Sequence, residues 1–495
     1  MCDGTRLALA ASHNAGRTQR PLGGMIMKKL ARVMVSCCLM VGCSSANGEN
    51  GAVGLAGTNG TNGTNGGPGM SGSAGMDGAK GADGLAGAAG PTGPTKARLL
   101  DCKQPYWRTE VRDALNKMVL EKGITSASYD PKQPPVAVFD WDNTVLKNDI
   151  GDATLFWAIR NDKIKRPVSW STTNSALTAD ATAALDAACN GLAAVGAALP
   201  TSSNVTCADE LVAIYDGGKT KAGKAAWTNA VTTTINQPYA WVSQLLAGYT
   251  PEEVREMARE AFDENNTAEW NPPTKQTVGT TSVNGYVRIY TQIDDLIGVM
   301  KDNGFDVWVL TASPQFVVEA ISRHVGVDPD HVIGIRSVAA NGKMTTDLQD
   351  CGAATKNSIM TFDEGKRCWI NKGIWNETDG AKQLAQNLAG KRPVFVAGDS
   401  DTDIAMLKDA TTLKLVINRG KVQTVCNAYA SLEKKDGRWL VQPMFLQPNA
   451  QKTEFDCVGA KIPGTMNPIV DESGMPFTKK YADTVFELGP LTSCK

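Results

Sequence analysis

Three short apolar runs, each ending abruptly in hydroxyls or carboxylates, restrict the fold of this 495-residue chain more than any other feature. Val136-Ala137-Val138-Phe139 runs into Asp140-Trp141-Asp142-Asn143-Thr144. Val307-Trp308-Val309-Leu310 runs into Thr311-Ala312-Ser313-Pro314, and Val394-Phe395-Val396-Ala397 into Gly398-Asp399-Ser400-Asp401-Thr402-Asp403. Brief β-branched and aromatic stretches of this kind predict buried parallel strands, which place ligand-binding groups at their carboxyl ends. Successive side chains on a strand alternate faces, so Asp140 and Asp142 share one cleft, roughly 6–7 Å apart along the chain, if the extended geometry persists. A carboxylate can attack phosphorus, and a second nearby can protonate the leaving oxygen and then activate water. A polar loop following a strand accounts for the pair alone equally well.

Charge and composition exclude several partners. Fifty basic and fifty-one acidic residues give a formal charge of −1, so nothing favours nucleic acid or an anionic membrane surface. Of the three histidines only His324 and His331 lie beyond the first fifty residues, which leaves carboxylates as the expected acid and base groups.

The amino-terminal segment has the grammar of an export signal. Met27-Lys28-Lys29-Leu30-Ala31-Arg32 is basic, and Val33 to Val41 is apolar but too short to span a bilayer. Leu39-Met40-Val41-Gly42-Cys43 resembles a bacterial lipobox, which implies lipidation at Cys43 and a place in the outer membrane, facing the periplasm or the cell surface. From Gly51 to Gly93 glycine then occupies every third position. This resembles collagen, where only glycine fits at the axis of three wound chains. Residues 51–95 carry only Pro68, Pro91 and Pro94, so a homotrimeric stalk and a flexible spacer both remain open. Eight further cysteines in an exported chain predict disulfides. Their order suggests Cys102 with Cys494, Cys189 with Cys207, Cys351 with Cys368, and Cys426 with Cys457.

Taken in order, Asp-x-Asp-x-Thr, a strand-end threonine, a lysine and Gly-Asp-x-x-x-Asp resemble the haloacid dehalogenase (HAD) superfamily, most closely its phosphoserine and phosphorylcholine phosphatase-like branch. The resemblance covers residues from about 130 to 420. It implies a doubly wound α/β sheet with an inserted, mainly helical cap, and a small phosphorylated substrate. Asp140 would be the nucleophile and Asp142 the general acid and base. Mg²⁺ would be held by Asp140, the backbone carbonyl of Asp142, and Asp399, with Asp403 in support. Thr311 would bind the phosphoryl oxygens, with Thr144 and Ser313 nearby; Ser313 and Pro314 also look like a helix start. Lys366 is the expected lysine, with Lys372 and Lys382 open as substitutes.

Asp149 stands nine residues after Asp140, where phosphoserine phosphatases carry a glutamate that meets the substrate amine. A cationic head group is therefore expected, and Trp157, Trp170, Trp227, Trp241 and Trp270 are candidates for an aromatic cage around it. The chain divides into residues 1–24 upstream of the natural start, a lipoprotein signal at 25–43 and a stalk at 44–95. A catalytic core follows at 96–147 and 301–420, with a cap at 148–300 and a disulfide-pinned extension at 421–495. Two other functions fit the same residues: a broad acid phosphatase or phosphotransferase, and a surface interaction lipoprotein whose HAD-like part is inactive.

Overall fold

The computed structural model describes residues 96–101, 104–352 and 356–491. Cys43, the glycine-periodic stretch, Cys102 and Cys494 lie outside them. Six parallel strands form the central sheet: β1 (Val136–Phe139), β2 (Asp306–Pro314), β3 (Val332–Ile335), β4 (Phe395–Gly398), β5 (Leu413–Asn418) and β6 (Trp439–Pro443). Their spatial order is β6-β5-β4-β1-β2-β3, so the chain starts in the middle and winds outward both ways.

The apolar runs do not alternate with polar residues because both faces of the sheet are covered. Ala137, Phe139, Val309 and Ala397 pack into one core, while Val136, Val138, Leu310 and Val396 pack into a second on the opposite face. The strand at one edge comes from the stretch expected to be an appended extension. Residues 421–495 contribute β6 and the helix Val422–Lys434, both part of the core. A buried Gln442 hid the strand. Its side chain accepts from Arg108 N at 3.0 Å and donates to Tyr106 O at 3.0 Å, so a polar residue in mid-strand is satisfied by the amino-terminal segment.

Between β1 and β2 the chain builds the cap. It leaves and returns through a two-stranded antiparallel neck, Leu146–Lys147 paired with Arg288–Ile289. Its helices include Ile150–Arg160, Val205–Gly217, Gln237–Leu245 and Pro251–Thr267, and a hairpin runs from Lys275 to Asn284. The last of these helices starts at the expected Thr250, in a capping box closed by Glu253.

The far edge of the cap is stitched to the core. Thr234 O accepts from Met360 N at 3.0 Å and Thr233 O from Glu364 N at 2.9 Å, and Gln244 Nε2 donates to Thr346 O at 2.9 Å. Gly464, at φ +73°, presses on Val231 so closely that a Cβ would stand 2.1 Å from its carbonyl oxygen. Disulfides join Cys189 to Cys207, Cys351 to Cys368 and Cys426 to Cys457. No helix among the described residues is long and apolar enough to cross a membrane.

Candidate active site

β1, β2 and β4 are neighbours, and their carboxyl ends open onto a cavity of 250 Å³ beneath the cap. Asp140 follows β1 directly and is fixed by its own N–H to Ala397 O at 2.9 Å. One carboxylate oxygen accepts from Lys366 Nζ at 2.5 Å, the other from Thr144 Oγ1 at 2.9 Å. Lys366 also meets Asp403 Oδ1 at 2.6 Å and is wholly buried. Burial alone would discharge this amine; Asp140 and Asp403 outweigh it and hold the lysine charged. Of the three lysines, Lys366 is the one the structure brings to Asp140. Lys372 donates to Asp350 O and Lys382 pairs at the surface with Asp379, both away from the cleft.

Asp142 serves a different environment. Its Oδ1 accepts from Ile150 N at 2.8 Å, and its Oδ2 from Ser313 Oγ at 2.8 Å and Thr311 Oγ1 at 3.2 Å. Burial pushes its carboxyl well above the usual range, and Asp149 adds to the effect. Two expected roles change here. Ser313 does not cap a helix, because β2 continues through Pro314 and the short helix Gln315–Glu319 begins without a side-chain cap. Thr311 and Thr144 are each fully buried against a carboxylate, so they position Asp142 and Asp140 rather than lining the cavity.

Asp399, at the end of β4, and Asp403 complete the set. Asp403 Oδ2 accepts from Asp399 N and Ser400 N, both at 3.0 Å, which folds the turn over Gly398. Asp140, Asp399 and Asp403 each offer a carboxylate oxygen within 4.8 Å of the others, the one such group among the described residues. Burial raises the Asp140 carboxyl well above its usual range, with Asp403 and Asp399 pushing the same way against Lys366. Buried hard-oxygen donors that repel one another fit a small divalent cation such as Mg²⁺. Asp142, by contrast, directs its carboxylate to Ser313, Thr311 and Ile150, outside that group.

On the cap side, Asp149 caps the helix Ile150–Arg160 through Asp152 N at 2.9 Å and lines the cavity. Tyr215 OH donates to Asp152, and Tyr239 stacks edge-on against Phe362 at 6.3 Å. These three rings, not tryptophans, form the aromatic wall. Trp157, Trp170, Trp227 and Trp241 are core, and Trp270 sits at a turn beside Gln447.

The sequence reading missed Arg419, whose Nη1 lies 2.7 Å from Asp399 Oδ2 at the cavity wall. A signal existed: Leu413-Lys414-Leu415-Val416-Ile417-Asn418 is a fourth strand ending in polar residues. Pro463, from the carboxyl-terminal stretch, also reaches the cavity and had no such signal.

The fold and cleft define a doubly wound α/β protein with a carboxylate-rich site at the strand ends. Residues 236–408 match the family model for haloacid dehalogenase-like hydrolase and residues 42–98 that for the collagen triple helix repeat, so the chain carries a HAD-like hydrolase domain behind collagen-like repeats. No curated protein matches the chain. Among solved structures, a conserved protein of unknown function from Anaerococcus prevotii DSM 20548 is 19% identical, with a TM-score of 0.44, over 68% of this chain and 92% of that one. A substrate-bound phosphoserine phosphatase is 13% identical, with a TM-score of 0.26, over 57% and 85%. Cytosolic 5'-nucleotidase IIIB bound to cytidine is 14% identical, with a TM-score of 0.32, over 68% and 86%.

Proposed function

We propose that this domain is a Mg²⁺-dependent phosphomonoesterase acting on a small organic phosphate, with Asp140 as nucleophile and Asp142 as general acid and base. The observation that carries the reading is the unequal environment of the two carboxylates. Both carboxyls are raised by burial, but Asp140 alone has a cation, Lys366, set against that effect, with Thr144 bonded to its other oxygen. Asp142 is held by two hydroxyls and one amide while burial favours its protonated form.

Attack by Asp140 forms an Oδ–P bond as the P–O bond to the alcohol breaks, and Asp142 gives the departing oxygen its proton. The resulting Asp142 carboxylate then takes a proton from water, which attacks phosphorus and returns Asp140 and inorganic phosphate. A Mg²⁺ ion held by Asp140, Asp399 and Asp403 supplies neutralisation of the phosphoryl oxygens. Asp149, with Tyr215, Tyr239 and Phe362, suits a substrate whose other end is an ammonium group, as in phosphoserine or phosphorylcholine. Export, a lipid anchor at Cys43 and a trimeric stalk over 51–95 belong to the same proposal.

The test is a panel of phosphoserine, phosphorylcholine, nucleotides and sugar phosphates with and without Mg²⁺. Asp140→Asn should abolish turnover while leaving the circular dichroism spectrum intact; residual activity above about 1% of wild type overturns the assignment of the nucleophile. The collagen-like repeats favour a second reading, a surface interaction protein with an inactive domain, and that reading requires no Mg²⁺-stimulated turnover across the whole panel.

A further inference from the structure

Behind the catalytic turn lies a second cavity, of 460 Å³, bounded by the helix Glu364–Trp369, the helix Ile404–Asp409 and the carboxyl-terminal stretch around Ile462 and Val470. It shares no lining residue with the cleft described above. Asp363 stands at its wall, 5% exposed, and its carboxylate accepts no hydrogen bond among the described residues. The backbone there is unusual: φ 44° and ψ −113°, a region that a residue with a Cβ rarely occupies. Gln423, from the helix Val422–Lys434, lines the same cavity and has a buried Oε1 without a partner.

The other charged groups at this wall have partners, although Arg367 Nη1 is buried without an acceptor. Arg367 Nε lies 2.8 Å from Asp409, Lys408 Nζ donates to Val470 O and Asp471 O at 2.9 Å each, and Glu364 accepts from Thr233 Oγ1 at 2.9 Å. Asp471 accepts from Ser473 and Met475, and Glu472 pairs with Lys414 and Arg438. Apart from that one donor, what is left over is acceptor capacity: a carboxylate and an amide oxygen beside the apolar side chains of Ile404 and Ile462. A buried acceptor without a donor costs stability, and a ligand that brings N–H donors and an alkyl body recovers it.

We propose that this cavity binds a small organic cation bearing N–H donors, a primary alkylammonium, with the Asp363 carboxylate as its anchor and Gln423 Oε1 as a second acceptor. Burial, reinforced by Glu364 and Asp401, pushes the Asp363 carboxyl well above its usual range against the pull of Lys408. The site is wired to the catalytic cleft. Asp363 N donates to Thr402 O at 2.9 Å, one residue before Asp403, and Asp363 O accepts from Lys366 N at 2.9 Å. Occupancy therefore bears on the backbone that holds both partners of the buried lysine pair.

The experiment is isothermal titration of the full chain with n-butylammonium, with n-butyltrimethylammonium as the donor-free control. Wild type should bind the primary amine saturably and the control at least about tenfold more weakly, the usual weight of a charge-assisted hydrogen bond. Asp363→Asn should lose at least about tenfold in affinity, whereas Asp149→Asn, which discharges the cap side of the catalytic cleft, should not. Ile462→Trp, which fills the cavity without touching Asp363, should abolish binding and serves if Asp363→Asn fails to fold. No saturable binding to wild type, equal binding of amine and control, unchanged binding in both cavity variants, or loss in Asp149→Asn alone would each overturn the proposal.

Discussion

Replacing Lys366 with methionine isolates the electrostatics on which the catalytic cleft rests. The ammonium lies 2.5 Å from Asp140 and 2.6 Å from Asp403, with all three side chains nearly or wholly buried. At such separations and an effective dielectric of ~20, each contact is worth about 6–7 kcal/mol before desolvation is subtracted. Removing one partner of a buried pair leaves uncompensated charge and typically costs ~3–5 kcal/mol net. For a domain of this size that is a fall in Tm of roughly 4–6 °C, measured in chelator so that no cation replaces the amine.

The pH dependence gives the reasoning its sharper test. Lys366 is raised above its ordinary value, so its stabilisation is fully present below roughly pH 10 and lost only as pH climbs through the folded value. Between about pH 5 and pH 8 the wild-type lysine does not titrate. In Lys366→Met the cation lowering Asp140 is gone, so that carboxyl, already raised by burial, takes its proton at still higher pH. The penalty should therefore be largest near pH 8 and shrink toward pH 5. Thermal unfolding of both proteins at the two pH values measures it. Equal Tm values at pH 8, or a penalty that grows on acidification, would refute the claim that Lys366 compensates buried carboxylates.

Arg419→Met removes a guanidinium 2.7 Å from Asp399, and calorimetric titration with Mn²⁺ or Mg²⁺ should show cation affinity rising by about tenfold. Lys147→Met should raise Tm at neutral pH. Burial, then Arg419, lowers this amine to about 8, so the protonated form is penalised below that value and the penalty fades as pH rises toward 10.5, where the gain over wild type should vanish. Discounted for partial exposure, the gain is roughly 1–2 kcal/mol. Opening the Cys426–Cys457 link with paired serines releases a sequence separation of 31 residues and should cost about 3–4 kcal/mol by chain entropy, read as a lower denaturation midpoint.

The sheet was legible because Val136–Phe139 and Phe395–Gly398 are buried on both faces, which leaves an uninterrupted apolar run in the sequence. β6 was not, because Gln442 is satisfied by Tyr106 and Arg108, more than three hundred residues away, and no local pattern encodes such a partner. Asp140, Asp142 and Asp399 could be placed because each directly follows or closely trails a strand. The roles of Thr311 and Ser313 could not, since one turn of χ1 decides whether a hydroxyl faces a cavity or a carboxylate. The tryptophans misled for a related reason: a large ring suits a cage and a core equally, and here Trp170 and Trp241 are wholly buried. Asp363 carried no signal at all, since a lone acid ahead of Glu364-Gly365-Lys366 looks like any helix start.

A cap tied down at its neck and again along its far edge has consequences for admission. The bonds from Met360 to Thr234 and from Glu364 to Thr233 join main chain to main chain, so side-chain drift leaves them in place. Gly464 wedges the same strip from the other side. A roof held on two sides acts as a sieve rather than a jaw: molecules are sorted by girth before any chemistry begins. On the proposed function, a cavity of 250 Å³ behind such an aperture would receive free metabolite-sized esters and turn away phosphate groups still attached to a folded protein.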